Sequence, residues 1–171
     1  MILQYFKKKE NEYKLIADSV YISSLKLSKN LIDQKFFKEK NFDSSFELIT
    51  IILILYFHIF NKFDNPKYKK INDFIFANFV NDLDKGLRDL GVSDMQIGKY
   101  VKKYVKKFYF RLKKIDLILD DFSKNKVELY LNSLKNIDKL NISKLAQELI
   151  NIKANIRKNN SYNLWFVENL I

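Results

Sequence analysis

Acidic residues are the first candidates for chemistry, because paired aspartates on facing helices hold magnesium in helical enzymes of isoprenoid metabolism. The candidates are Asp82, Asp84 and Asp89 in one segment and Asp120 and Asp121 in another. Neither set has the DDxxD or DxxxD spacing that places carboxylates one turn apart. Asp84 instead precedes Arg88 by four residues, the favourable order for a surface ion pair, and Lys85 and Asp89 repeat the spacing. The pattern favours binding over metal catalysis.

Other reactive groups are scarce. The chain has no cysteine, and His58 is its single histidine, so thiolate chemistry is excluded and a histidine metal site or serine triad is disfavoured. No P-loop or GxGxxG motif is present. The sequence therefore predicts a protein that is not an enzyme, with no cofactor and no small-molecule substrate.

The formal net charge of +11 favours acidic partners such as anionic lipids or RNA. A helix from Ser93 to about Leu119 is predicted to bury Ile97, Val101, Tyr104, Phe108, Leu112 and Ile115. Its other side carries the lysine strip, which comprises Lys99, Lys102, Lys103, Lys106, Lys107, Lys113 and Lys114. The strip is either a solvated face or a docking surface. Tyr100, Tyr104 and Phe108 are expected to face inward, which weighs against base stacking on RNA.

Three glycines and one proline in 171 residues indicate long helices, so the fold class predicted is all-α, with six or seven helices in one domain, 1–171. Residues 46–63 are the most apolar, with Asp43 or Ser44 as the expected N-cap. Their uninterrupted apolar run of about ten residues is short for a bilayer span, which needs about 20. They are expected to form the central core helix, with contact with a membrane or an apolar partner as the alternative, and His58 is expected to be a satisfied core or edge histidine rather than a ligand.

The remaining elements follow from periodicity and capping residues. A helix is expected over residues 12–29, then a loop with a short helix whose Phe36, Phe37 and Phe42 enter the core. A helix begins at Pro66 after an Asn65 cap, buries Tyr68, Ile71, Ile75, Phe79, Leu83 and Leu87, and ends at Gly91. Ser93 and Gln96 have capping-box spacing. Two helices follow Ser123 and Ser143, and a tail carries Trp165 and Phe166.

All three glycines and two of the three arginines lie within the stretch DLDKGLRDLGVSDMQIGKYVKKYVKKFYFR, residues 82–111. Gly91 suits the left-handed backbone of a helix end. Arg88, with five donors, either locks the corner between the two helices, for example through Asp94, or faces a partner.

This stretch resembles the ubiquinol–cytochrome c chaperone family, whose pattern is an aromatic helix, a D-(x)-LRE-x-GV-x-D turn and a lysine-rich helix ending in FYGR. The matching positions are Phe79, Asp82, Asp84, Leu87, Arg88, Leu90, Gly91, Val92, Asp94, Gly98, Val101, Lys102, Lys103, Phe108, Tyr109 and Arg111. The resemblance extends over residues 15–120. Asp89 stands where the family has glutamate, and Phe110 where it has glycine.

The resemblance implies a non-enzymatic assembly factor for the respiratory cytochrome bc1 complex that binds newly made cytochrome b. Mitochondrial relatives act at the ribosome with a small partner subunit. The expected location is cytoplasmic, at the inner face of a bacterial inner membrane, because the N-terminus lacks a secretory pattern. The partner-binding candidates are Asp82, Asp84, Arg88, Asp94, Phe108, Tyr109 and Arg111, with Phe57 and Phe60 in a client groove beside the apolar helix. The alternative is a basic helical RNA- or ribosome-binding protein.

Overall fold

A computed structural model describes residues 2–134 and 137–168, with side chains described for residues 10–134 and 137–158. These residues form six α-helices and a short 3-10 helix, Lys139–Asn141, and no β-strand, which confirms the all-α prediction. The helices are α1 (Ile2–Asp33), α2 (Phe42–Asn61), α3 (Pro66–Asp89), α4 (Asp94–Leu119), α5 (Lys124–Asn132) and α6 (Ile142–Glu168).

Helix α2 is the centre of the fold. Its residues 51–55 are 0% exposed, since α1, α3, α4 and α6 all pack around it. By length and composition α2 could cross a membrane, but 72% of its most apolar window is buried by the rest of the chain. This burial is what a core helix requires, as the sequence predicted.

The start of α2 differs from the prediction. The helix begins at Phe42, and its N-cap is Asn41, whose side chain accepts a hydrogen bond from the backbone N–H of Ser44 at 3.0 Å. Neither Asp43 nor Ser44 is the cap. Asp43 is the second residue of α2, and its carboxylate instead accepts a hydrogen bond from the Lys107 Nζ of α4 at 3.1 Å.

Helix α1 is longer than predicted and leaves a short loop over residues 34–41 rather than a loop with its own helix. Phe36 and Phe37 are buried there, as expected. The Phe36 carbonyl accepts a hydrogen bond from the Asp138 N–H at 2.9 Å, and Phe37 pairs with Ile137 in an isolated β-bridge. The loop thus ties the N-terminal helices to the segment before α6.

The predicted Pro66 helix is confirmed as α3. The Asn65 side chain accepts a hydrogen bond from the Lys67 N–H at 3.0 Å, and Pro66 is the first helical residue, where its missing N–H costs nothing. All six predicted stripe residues are buried: Tyr68, Ile71, Ile75, Phe79, Leu83 and Leu87.

The C-terminal third forms the other wall of the core. Helices α5 and α6 pack on each other, and α6 also packs on α2. They bury apolar residues at helical spacing, together with Leu134 just after α5; those within the helices are Val127, Leu131, Leu145, Leu149, Ile152 and Ile156. Trp165 and Phe166 lie outside the residues whose side chains the structure describes.

Candidate partner-binding surface

The corner between α3 and α4 is a preformed joint. Gly91 has φ +85°, and its N–H donates to the Arg88 carbonyl while the Val92 N–H donates to the Leu87 carbonyl. These are the two bonds of a Schellman motif, which satisfies the last carbonyls of α3 and reverses the chain. Ser93 occupies the N-cap position of α4, but its side chain makes no cap bond, so the predicted capping box is wrong.

Arg88 fastens this joint with its side chain. Its Nε donates to Asp84 at 2.6 Å, which confirms the predicted ion pair, and its Nη1 donates to Asp94 across the corner. The hydrogen bonds to Asp84 and Asp94 raise the pKa of Arg88. Three of the partner-binding candidates therefore bind one another, although Arg88 remains partly exposed. The predicted Lys85–Asp89 pair is absent from the ion pairs of the described residues.

Arg111 is a core residue that links α4 to α2. Its Nε and Nη2 donate to the two carboxylate oxygens of Glu47 at 2.8 and 2.7 Å, and both side chains are mostly buried, at 13% and 8% exposure. Burial lowers the pKa of Arg111, but the bonds and charge of Glu47 outweigh burial and raise it overall. Arg111 has no free face for a partner, contrary to the expectation.

Lys107 contacts Glu47, the partner of Arg111, and is therefore not part of the exposed lysine strip. Its Nζ lies 3.1 Å from Asp43 and 3.0 Å from Glu47, and 4.9 Å from the centre of the Phe46 ring. Tyr104 also donates to Asp43, and burial together with that carboxylate raises the pKa of Tyr104 to about 12. Asp43 and Glu47 were not recognised as site residues in the sequence, because their partners lie more than 60 positions away.

Asp82 faces α1 rather than a partner. Tyr21, a buried residue of α1, shares a hydrogen bond with Asp82, and burial followed by the charge and hydrogen bond of Asp82 raises the pKa of Tyr21. Asp82 therefore helps to hold α1 against α3.

The aromatic candidates divide into buried and exposed residues. Phe60 and Phe108 are buried, and the Phe108 ring packs 5.2 Å from Phe79 and 6.1 Å from Phe57, which is half-buried. Phe60 and Phe108 are therefore core residues and do not form a binding surface here. Tyr109 is 53% exposed, and so is its neighbour Phe110.

Helices α1, α3, α4 and α6 enclose most of residues 46–60, beside which the client groove was expected, although Tyr56, Phe57 and His58 remain half-buried. A recess of about 520 Å³ lies instead between the outer faces of α3 and α4. We call it the α3–α4 groove: Val80, Val101 and Val105 line it with Gly98, and Lys85 and Lys102 border it.

The remaining strip lysines are exposed, namely Lys99, Lys102, Lys103, Lys106, Lys113 and Lys114. Tyr100 is also exposed, at 36%, with the Lys103 Nζ 5.9 Å from its ring centre. The expectation that Tyr100 faces inward is wrong, because it lies one position outside the buried stripe.

A family model described as ubiquinol–cytochrome c chaperone matches residues 34–137, which is more than half of the chain. The chain belongs to the ubiquinol–cytochrome c chaperone family. The fold is also similar to the crystal structure of the Cbp3 homolog from Brucella abortus, with TM-score 0.76 and 23% identity over 92% of this chain and 88% of that chain. Comparison with curated proteins gave no sequence match.

In this ubiquinol–cytochrome c chaperone, much of the family pattern has a structural use. Arg88 with Asp94 closes the corner, Gly91 reverses the chain, and Arg111 pairs with Glu47. Gly98 is different, because it lacks the positive φ of Gly91 and a Cβ added there would meet no atom within 4 Å. The other family-pattern residues with exposed side chains are Leu90 at the joint and Lys102, Lys103 and Tyr109 on α4.

A second recess, of about 630 Å³, lies between the α4–α5 connection and α6. Asp120, in its lining, pairs with Lys62 at 2.8 Å and lies 3.6 Å from His58 Nε2. Burial, with the charges of Lys62 and Lys153, lowers the pKa of His58. His58 is half-buried at the edge of the core, but its Nε2 has no hydrogen-bond partner among the described residues, so it is not the satisfied histidine that was expected. Among the described residues, no group of three or more His, Asp or Glu side chains could hold a metal ion.

Proposed function

We propose that this chaperone assists assembly of the respiratory cytochrome bc1 complex by binding newly made cytochrome b, and that it catalyses no reaction. The observation that carries the proposal is the family match over residues 34–137, which includes α2, α3, α4 and the joint between them. A rigid joint supports holding a client, because the two helices that would contact it need little reorganisation on binding.

The proposed location is the cytoplasmic face of the inner membrane, with the exposed lysines of α4 toward anionic lipid or a ribosome that is making the client. Six exposed lysines lie on this helix. Each basic residue close to an anionic membrane contributes about 1 kcal/mol of attraction. A small partner subunit, as in mitochondrial relatives, belongs to the same proposal.

Deletion of the gene tests whether cytochrome b is the client. The level of cytochrome b and the activity of the bc1 complex should fall, while the other respiratory complexes keep their activity. Re-expression of the chain should restore both. Unchanged cytochrome b in the deletion strain would remove the proposed function.

Replacement of Lys102, Lys103 and Lys106 by glutamine tests the membrane role of the strip. Sedimentation with vesicles containing phosphatidylglycerol should fall, and the wild-type binding should weaken with salt. Lys107 is kept, because it pairs with Glu47 in the core. The matched control replaces Lys26, Lys29 and Lys38, which are exposed elsewhere. Equal loss in both variants, or none in either, would make the strip a solvated face.

The exposure of Tyr100 beside Lys103 favours a second candidate function, the binding of RNA. An exposed aromatic ring among lysines can stack on a base, an interaction of about 1–3 kcal/mol. Under this alternative, affinity for single-stranded RNA should fall steeply with salt and with Tyr100→Ala. The deletion strain would then keep its cytochrome b, which separates the two functions.

A further inference from the structure

The α3–α4 groove has an apolar floor. Val80, Val101 and Val105 are half-buried, so each presents part of its side chain to the outside. Tyr109 continues the floor one turn beyond Val105, with its ring 5.7 Å from that of Phe76 on α3. Two helices side by side with aliphatic residues in the groove between them offer a site into which a third helix can pack.

Gly98 lies in this floor, and neither the packing nor the backbone conformation of the described chain requires a glycine at this position. It is the fifth residue of α4, where glycine is less favourable than alanine by about 0.5–1 kcal/mol. A Cβ would meet nothing within 4 Å, so no neighbour in the described chain requires the glycine. Gly91, by contrast, is required by its positive φ. A missing side chain on an open floor lets the backbone of another molecule come close.

The edge of the groove carries basic side chains that are not used in ion pairs with the described residues. Lys85 and Lys102 form no ion pair with any residue that the structure describes, whereas Asp84, the acid in the lining, is already bound by Arg88. Lys99 and Lys106 extend this border along the exposed face of α4. The border therefore complements carboxylates on whatever occupies the floor.

We propose that the α3–α4 groove binds an amphipathic helix of a protein partner, with aliphatic side chains toward Val80, Val101 and Val105 and acidic side chains toward Lys85 and Lys102. From Gly98, the first α4 residue of the lining, to Tyr109 this face of α4 is about 16 Å long, the length of about three helical turns. The inference rests on the proposed function in that it takes the occupant to be a protein segment.

The probe is a fluorescein-labelled peptide of about 18 residues with leucine at i, i+3, i+4 and i+7 and glutamate beside this stripe. Its fluorescence anisotropy is followed as the full-length protein is added. Two comparison peptides have the same leucines with lysine for glutamate, or the same composition in scrambled order. The acidic amphipathic peptide should bind at least about tenfold more tightly than either, a difference of about 1.4 kcal/mol.

Two variants locate the binding in the groove. Gly98→Leu fills the floor and should weaken binding about tenfold, and Lys85→Glu with Lys102→Glu should weaken it similarly by placing like charges together. The matched charge control, Lys26→Glu with Lys29→Glu on α1, should leave affinity unchanged. Gly98→Ala guards against misfolding, because it should raise the thermal midpoint and still weaken binding.

Equal binding of the acidic and lysine peptides, or binding that Gly98→Leu leaves unchanged, overturns the groove proposal. The proposal is also overturned if the wild-type protein does not bind the acidic peptide but binds phosphatidylglycerol vesicles, and Gly98→Leu abolishes that vesicle binding. These results do not depend on the deletion strain. Normal cytochrome b in that strain overturns the proposed function and leaves the peptide measurement as it stands.

Discussion

Glu47 on α2 and Arg111 on α4 are charged residues placed among core side chains. Neither could be buried alone, because an unpaired charge in the interior costs several kcal/mol, and the bidentate geometry satisfies both. Arg111→Met should therefore lower the free energy of unfolding by about 3 kcal/mol, since Glu47 would keep only Lys107 as a partner. Urea unfolding followed by far-UV circular dichroism measures this.

The double variant Glu47→Leu with Arg111→Met removes both charges and should recover most of the lost stability. Lys113→Met is the matched control, because Lys113 is exposed on the same helix, and it should change stability by less than about 0.5 kcal/mol. If the double variant is as unstable as the sum of the two single variants, the pair is not the coupled unit described here.

Replacement by alanine is expected to have opposite effects on stability at Gly91 and at Gly98. Neither has an atom within 4 Å of an added Cβ, so packing does not distinguish them. Gly91→Ala should destabilise the protein by about 1 kcal/mol, because alanine is strained at φ +85°. Gly98→Ala should stabilise it by about 0.5–1 kcal/mol. Thermal unfolding of both variants gives the signs, and an unchanged midpoint for Gly91→Ala would show that the corner relaxes.

At the scale of the helices, periodicity predicted the buried stripe of α3 in full and that of α4 only in part, because Val101, Tyr104 and Leu112 are half-buried. The whole buried stripe of α3 was predicted because its spacing, its Asn65 cap and its Pro66 start agree. At the start of α2, three of four consecutive residues, Asn41, Asp43 and Ser44, can each serve as a cap. Asn41 is chosen because Asp43 reaches Lys107 and Tyr104 on α4. A contact across 60 residues of sequence leaves no local pattern.

His58, at the end of α2, makes stability depend on pH. Burial and the charges of Lys62 and Lys153 lower its pKa in the folded chain, against smaller opposing effects of Asp120 and Asp116. The unfolded chain therefore binds the proton more readily, and the free energy of unfolding should decrease as pH falls below about 6.5. Urea unfolding at several pH values between about 7.5 and 5.5, above the range where carboxylates titrate, measures the slope.

His58→Gln removes the only histidine and should flatten this slope. Gln96→Ala, a change at an exposed position in the first turn of α4, is the control and should keep the slope of the wild type. A slope that persists in His58→Gln would assign the pH dependence to other groups.

For the whole molecule, the sequence predicted the fold class and the family, and it predicted the binding surface only in part. The joint at Gly91 was visible because glycine and arginine are rare in this chain. The groove was expected beside α2 because that segment is the most apolar, but the same apolarity is what buries it. The α3–α4 groove lies between two helices whose outer faces mix apolar and charged residues, and such a recess forms only when the helices pack.

The C-terminal helices test whether the chain unfolds as one unit, because α6 lies beyond the family match and yet packs on α2. Leu149 on α6 is 0% exposed, and Leu149→Ala should cost about 2–5 kcal/mol by leaving a cavity. Amide exchange in α2 and α3 should accelerate together with that in α6. Leu129→Ala, on the exposed side of α5, is the matched control. Exchange that accelerates only in α5 and α6 would divide the chain into two cooperative units, since each unit opens with its own free energy.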